Sequence, residues 1–282
     1  LISGKRLFPL LFLVLIATAF LACAYALNSI RFRANLIILE RAHAHNDYNH
    51  EHPFYDALEN RFASIEVDIH LINGELLVAH DAHQAQAERT LQALYLDPLL
   101  KHVMKNKGQV YRHGSQLTLF IDIKTDADST FTLLHKILKE YKDILTVYNE
   151  NSRTQGAVSI IISGNRPRKM MEREPVRYAA YDGRFEDLET NDPVELIPII
   201  SDRWFKFFTW NGEGTFTEEE RQKLRAIIEE AHKQGKWVRF WGTPDYPSPA
   251  REAVWRELLL ADVDLINSDD LAGLKMFLLK ND

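Results

Sequence analysis

Cysteine occurs once in the 282 residues, at Cys23, inside an apolar stretch near the N-terminus. The rest of the chain therefore has no disulfide, no cysteine nucleophile and no thiolate metal site. An excess of basic charge is also missing: 34 Lys and Arg face 40 Asp and Glu, for a net charge of −6. Nucleic-acid-binding surfaces are normally basic, so no nucleic-acid partner is expected. No internal repeat, low-complexity tract or clear linker divides the chain. With 46% hydrophobic and 26% charged residues, the composition is that of an ordinary globular protein. Roughly 250 residues, a large single domain, must hold together by packing alone.

What is present begins with a targeting segment. Lys5 and Arg6 precede an apolar run from Leu7 to Leu27. A positive start followed by such a run marks an export signal or a retained anchor. Its length is near the ~20 residues that span a bilayer. Ala24-Tyr25-Ala26 fits a small-x-small cleavage site, and lipid attachment at Cys23 is an alternative. We expect residues 1–27 to be a signal peptide or membrane anchor and residues 28–282 to form the exported domain. The expected location is periplasmic, extracellular or membrane-anchored.

Strand-like and helix-like segments then alternate. Predicted strands cover 37–42, 64–72, 117–124, 158–163, 178–182, 196–201, 237–241 and 263–267. Asn73-Gly74 is a strong turn pair that folds 75–79 back as a hairpin extension. Helices are predicted at 53–60, with Pro53 in the first turn, and at 129–141. A third starts at Thr217, where Thr217 and Glu220 form a capping box and Gly235 ends the helix. The last two cover 250–261 and 271–279. Residues 84–114 form the longest insertion, predicted helical around 91–100 and overhanging the exit of strand two. Eight strands, mostly followed by helices, point to an α/β fold: a single (β/α)8 barrel of the TIM type.

In such barrels the chemistry lies at the C-terminal strand ends. Seven of the 11 histidines fall between positions 43 and 83, interleaved with carboxylates. Glu66 and Asp68 are two apart, so on a strand both face one way. Two inward carboxylates repel each other unless a cation offsets their charge. Asp122, on the next strand, supplies a third oxygen. An all-oxygen set favours one divalent cation, magnesium or calcium (Mg2+ or Ca2+), over zinc. The alternative for these acids is plain ion pairing, for example Asp122 with Lys124. His45 and His80 are the candidates for proton transfer. Lys124 would hold a phosphate and stabilise its growing charge. His83, His102, His113, His135 and His232 read as caps or surface residues. For His43, His50, His52 and His70 the choice stays open.

Several segments carry a resemblance: Ala44-His45-Asn46, Glu51-His52-Pro53-Phe54, Ile65-Glu66-Val67-Asp68, and Gly74-Glu75-Leu76-Leu77-Val78-Ala79-His80-Asp81. Together they resemble the glycerophosphodiester phosphodiesterases, within the phosphatidylinositol-phospholipase-C-like phosphodiesterases. Residues 120–124 look like that group's next strand and residues 264–269 like its last. The chain is most similar to a branch whose first motif reads His-Ala-His-Asn-Asp-Tyr. The resemblance implies a catalytic pair at His45 and His80, a metal site at Glu66, Asp68 and Asp122, and a phosphate contact at Lys124. It further implies substrate contacts at Asn46 and Trp241. Two departures stand out. The group's Arg-Gly after the first histidine is Asn46-Asp47, which removes a phosphate-binding arginine. The third metal ligand, often Glu, is Asp122, as in the related sphingomyelinase D enzymes. The implied substrate is a phosphodiester, as a small molecule or a lipid head group, with membrane association through the N-terminal segment. Water or the substrate's own hydroxyl displaces the leaving alcohol in this superfamily.

Two rival readings remain. His43-Ala44-His45 matches the His-x-His start of metal-dependent amidohydrolases and histidinol-phosphatase-like enzymes, but those need further histidine ligands from later strands. The other rival is a membrane-tethered barrel that binds without catalysing. Metal content separates the first rival and turnover the second.

Overall fold

Runs rich in Val, Ile and Phe suit pleated, buried surfaces, and here they form a closed ring of parallel strands. The structure, a computed structural model, describes residues 37–282 apart from 113, 150 and 151. The predicted targeting segment lies outside the described residues. The barrel strands are β1 (Leu39–Ala44), β2 (Phe62–Ile72), β3 (Leu117–Ile123) and β4 (Val158–Gly164). They continue as β5 (Ala180–Gly183), β6 (Ile199–Arg203), β7 (Trp237–Trp241) and β8 (Leu265–Ser268). Each pairs in parallel with the next, and β1 pairs with both β2 and β8, which closes the barrel. Closure leaves no free edge among these eight strands.

The longer helices are α1 (Asp97–Lys105), α2 (Ala127–Glu140), α3 (Glu218–Lys233), α4 (Pro249–Leu260) and α5 (Leu271–Asn281). The Thr217 hydroxyl accepts from Glu220 N–H at 3.2 Å and opens α3, as the capping box requires. Gly235, at φ 71°, follows its end. Asn73 (φ 52°) and Gly74 (φ 83°) form the left-handed turn that folds Glu75–Val78 antiparallel onto β2.

Several boundaries differ from expectation. β1 starts two residues later and runs to Ala44. The segment around Pro53 yields a helix only over Tyr55–Glu59. β6 begins after Pro198, so the proline precedes the strand and does not interrupt it. A small antiparallel sheet of Val147–Asn149, Ser152–Thr154 and Val176–Arg177 was not foreseen. Its strands are two or three residues long, too short to show a period. The insertion is helical over 92–105. It braces the loop after β1: the Tyr95 hydroxyl donates to Asp47 Oδ2 at 2.9 Å, and Arg89 Nη2 donates to Tyr48 O at 2.7 Å.

Inside the barrel, Phe120, Ile161, Ala180, Ile199 and Leu265 form a buried apolar layer, joined by Tyr148 from the small sheet. Side chains alternate along a strand, so the next inward positions toward the C-terminal ends are Asp122, Ser163, Asp182, Ser201 and Asn267. The polar layer thus rests on an apolar floor. Arg239 marks the join, its guanidinium carbon 4.4 Å from the centre of the Phe120 ring.

Candidate active site

Strand register assembles the acids. Asp68 pairs directly with Asp122 across β2 and β3, and Glu66 lies two residues deeper on the same face. One oxygen from each of the three carboxylates lies within 4.8 Å of the others. They line a cavity of about 500 Å³ at the C-terminal mouth of the barrel. His45, Asn46, His80, Lys124 and Trp241 line it too, so all eight residues singled out in the sequence meet around one space. Another cavity, of about 380 Å³, opens at the opposite end near Gln116, Thr146 and Trp237. It holds no cluster of carboxylates.

Two fixed cations stand among the acids. Lys124 Nζ lies 3.1 Å from both Asp68 Oδ2 and Asp122 Oδ1, so the simple ion pair weighed in the sequence does form. Arg239, passed over in the sequence, is buried and lies 3.8 Å from Glu66 Oε1 and 3.6 Å from Asp182 Oδ2. One arginine at an alternating position in an otherwise apolar strand was the signal that could have found it. Burial alone would raise the Glu66 pKa, but the charges of His45 and Arg239 outweigh it and hold that carboxyl well below the usual range. Burial raises Asp122 to about 6 despite Lys124. Burial and the Glu66 charge raise Asp68 as well.

These residues fit a cation. Glu66 Oε2 and Asp122 Oδ1 are buried; among the described residues no hydrogen bond reaches Glu66 Oε2, and Asp122 Oδ1 has only the Lys124 ammonium beside it. Oxygen ligands at 2.0–2.6 Å from an ion stand up to ~5 Å apart across it, and this cluster meets that span. Gly164 shapes the cradle: its φ is +68°, and a Cβ there would collide with the Asp122 carboxylate.

Each candidate histidine is tied to a carboxylate by one ring nitrogen. His45 Nδ1 lies 2.7 Å from Asp269 Oδ1, and its Nε2 lies 3.4 Å from Glu66 Oε2. Burial would lower the His45 pKa, but the Asp269 hydrogen bond and the Glu66 charge raise it above the ordinary imidazole value. Asp269 is itself placed by Asp245, whose Oδ2 accepts from Asp269 N–H at 2.7 Å. His80 Nδ1 lies 3.0 Å from Asp68 Oδ2. The Tyr48 hydroxyl sits 2.8 Å from both Asp68 Oδ2 and Asn46 Oδ1. Asn46 Nδ2 faces His45 Nδ1 at 2.9 Å and Asp269 Oδ1 at 3.4 Å. Asn46 is thus bound into the His45 support.

The undecided histidines resolve differently. His43 is fully buried. Arg239 Nη1, always protonated, donates to its Nε2 at 2.8 Å, so the ring proton sits on Nδ1 and goes to Ser64 Oγ at 2.7 Å. Burial and the Arg239 charge lower its pKa to about 4, which keeps it neutral. With both nitrogens engaged, His43 has no lone pair for a metal, and this counts against the His-x-His metal reading. His70 is buried with Nε2 3.2 Å from His80 O, and His52 lies beside Asp56 on the surface. His102 and His232 bond Val110 O and Asp264, away from the acidic cluster.

A parallel barrel with paired histidines and three carboxylates at its C-terminal mouth defines the class: a (β/α)8 barrel of the TIM type with a polar site at its strand ends. The overall fold matches the crystal structure of a glycerophosphoryl diester phosphodiesterase from Parabacteroides distasonis, with a TM-score of 0.50 over 88% of this chain and 90% of that one. At 13% identity that likeness speaks for the fold alone. Residues 32–182 match the model of the AIM6-like phosphodiesterase domain. An "Altered inheritance of mitochondria protein 6 homolog" from Arthroderma benhamiae is 31% identical over 258 residues, covering 83% of this chain and 82% of the relative. The "Altered inheritance of mitochondria protein 6" of Eremothecium gossypii is 28% identical, over 85% and 70% respectively. The chain belongs to the AIM6-like phosphodiesterase domain family.

Proposed function

We propose that this protein cleaves phosphodiesters by acid–base chemistry at His45 and His80. The observation that carries the reading is the placement of two carboxylate-anchored histidines beside one acidic cluster in a single cavity. Asp269 holds the Nδ1 proton of His45 and leaves Nε2 for proton transfer. Asp68 holds Nδ1 of His80 in the same way. One histidine takes the proton from the attacking hydroxyl, of water or of the substrate itself. The other returns a proton to the leaving oxygen. Glu66, Asp68 and Asp122 would hold one Mg2+ or Ca2+, which supplies charge stabilisation for the phosphoryl oxygens when bound. Lys124 adds fixed positive charge beside them, and Trp241 offers an apolar wall to the alcohol part of the substrate.

Glycerophosphodiesters and phospholipid head groups are the substrates we favour, on the motif resemblance and the cavity volume of about 500 Å³. The apolar run at 7–27 supports export or anchoring, with access to lipid head groups at a membrane surface. Among the described residues, no helix is long and apolar enough to cross a membrane. The test is turnover by the full chain on glycerophosphodiesters, lysophospholipids and sphingomyelin. It is run with EDTA, then with Mg2+ or Ca2+ restored, beside His45→Ala and His80→Ala. Cation-restored cleavage that both substitutions abolish is expected. No cleavage on the whole panel, or cleavage indifferent to both substitutions, refutes the reading and favours the non-catalytic barrel.

A further inference from the structure

The motif resemblance calls for an arginine after His45, and the chain has Asn46 there. Asn46 does not stand in for it, because its amide oxygen accepts from the Tyr48 hydroxyl and its Nδ2 donates to Asp269 Oδ1. The cavity nonetheless contains three permanent cations: Lys124, Arg184 and Arg239. Two of them are occupied. Lys124 Nζ is shared between Asp68 and Asp122. Arg239 is almost wholly buried; its Nη1 serves His43 and its Nε donates to Ser201 Oγ at 3.1 Å.

Arg184 is different. It follows β5, which lies opposite β1 in the closed strand order, and it lines the same cavity as His45. Its Nη1 is pinned by Gly183 O at 2.9 Å, Ser201 O at 3.2 Å, Asp182 O at 3.4 Å and Asp182 Oδ2 at 3.2 Å. Its Nε and Nη2 make no hydrogen bond among the described residues. One end of the guanidinium is therefore anchored while the other keeps its donors. The charge balance agrees. Glu66, Asp68, Asp122 and Asp182 face three cations, a net of minus one. A divalent ion on the acids makes this plus one, which suits a singly charged phosphodiester.

We propose that Arg184 binds a non-bridging phosphate oxygen from the β5 side, taking the part of the arginine missing beside His45. The proposal rests on the phosphodiesterase reading and names a substrate-binding residue within it. Preorganised arginine donors bind phosphate oxygens strongly because the guanidinium is already held in place.

The test is calorimetric binding of inorganic phosphate to the full chain in magnesium-containing buffer. It compares the wild type with Arg184→Gln, Arg184→Lys and the distant control Arg221→Gln. Losing one charge-assisted contact is expected to weaken phosphate binding about ten- to a hundredfold in Arg184→Gln. Arg184→Lys should recover part of the loss, and Arg221→Gln should bind as the wild type does. Thermal unfolding checks that each variant is folded. If Arg184→Gln does not fold, the weaker binding expected of folded Arg184→Lys carries the test. Unchanged affinity in the folded variants overturns the proposal, as does absence of phosphate binding by the wild type. Turnover of bis(p-nitrophenyl) phosphate separates the two readings. Lost binding in Arg184→Gln without wild-type turnover sinks the enzyme and leaves Arg184 as an anion site. Turnover with a KM indifferent to Arg184→Gln sinks the Arg184 assignment alone.

Discussion

Asp47 offers a perturbation whose size follows from the structure. It is fully buried in the loop after β1. Phe54 N–H donates to its Oδ2 at 2.6 Å and the Tyr95 hydroxyl at 2.9 Å, while Oδ1 has no partner among the described residues. Phe54 sits at φ 69°, a strained value for an aromatic residue, so this carboxyl also pins an unfavourable turn. Burial outweighs both hydrogen bonds and raises the pKa from 3.8 to about 6. The folded state therefore holds the proton more tightly than the unfolded chain. The resulting stability is fully present below pH 4 and is lost as the pH rises through 6. A shift of roughly two units corresponds to about 3 kcal/mol. For a chain of this size that is roughly 6–12 °C in Tm. Asn in place of Asp47 keeps an acceptor oxygen for Phe54 and Tyr95 and removes the titration. The assay is thermal unfolding of the wild type and Asp47→Asn from pH 4 to pH 7, read as the difference between the two. That difference cancels the other titrating groups. It should move by about 3 kcal/mol in favour of Asn as the pH rises. Parallel pH profiles for the two proteins would refute the reasoning.

Three further outcomes are expected. Asp269→Asn frees the His45 ring and should cut kcat about 10²- to 10⁴-fold with little change in KM, checked by steady-state kinetics on the best phosphodiester found. Gly164→Ala forces a Cβ toward Asp122 at a positive φ. It should cost about 1–3 kcal/mol in chemical unfolding and weaken cation binding measured by calorimetry. Mg2+ or Ca2+ at a hundred times its Kd should stabilise the fold by about 2.7 kcal/mol. That gain should vanish in the Glu66→Gln/Asp122→Asn double variant, and a retained gain would place the ion elsewhere.

Much of the architecture could be read before any coordinates. Eight strand signals, the Asn73-Gly74 turn and the Thr217/Glu220 cap are local, and local backbone preferences decide them. Glu66 and Asp68 on one face follows from strand alternation alone. That Asp122 would come from the neighbouring strand was legible too, but its register opposite Asp68 was set by the tertiary pairing. Boundaries were less legible: β1 and β6 each shifted by two or three residues, because tertiary pairing, not composition, ends a barrel strand. The helix sought at 53–60 shrank because Phe54 takes a positive φ under the pull of Asp47. The two arginines, Arg184 and Arg239, were the larger omission. Arg239 lies 196 positions from its partner His43, and no sequence window links them.

The sequence by itself determined the order of strands and helices, the near-absence of cysteine chemistry, and which acids and histidines would reach the strand ends. Those features rest on period, turn chemistry and residue type, all of which act over a few positions. The tertiary structure alone decided how those groups are partnered. It set Asp269 against His45, neutralised His43 through Arg239, committed Asn46 to the His45 support, and left one side of Arg184 without a hydrogen bond among the described residues. Barrel closure is the physical reason: it brings strands from opposite ends of the chain to one mouth, where hydrogen bonds and ionisation depend on neighbours remote in sequence.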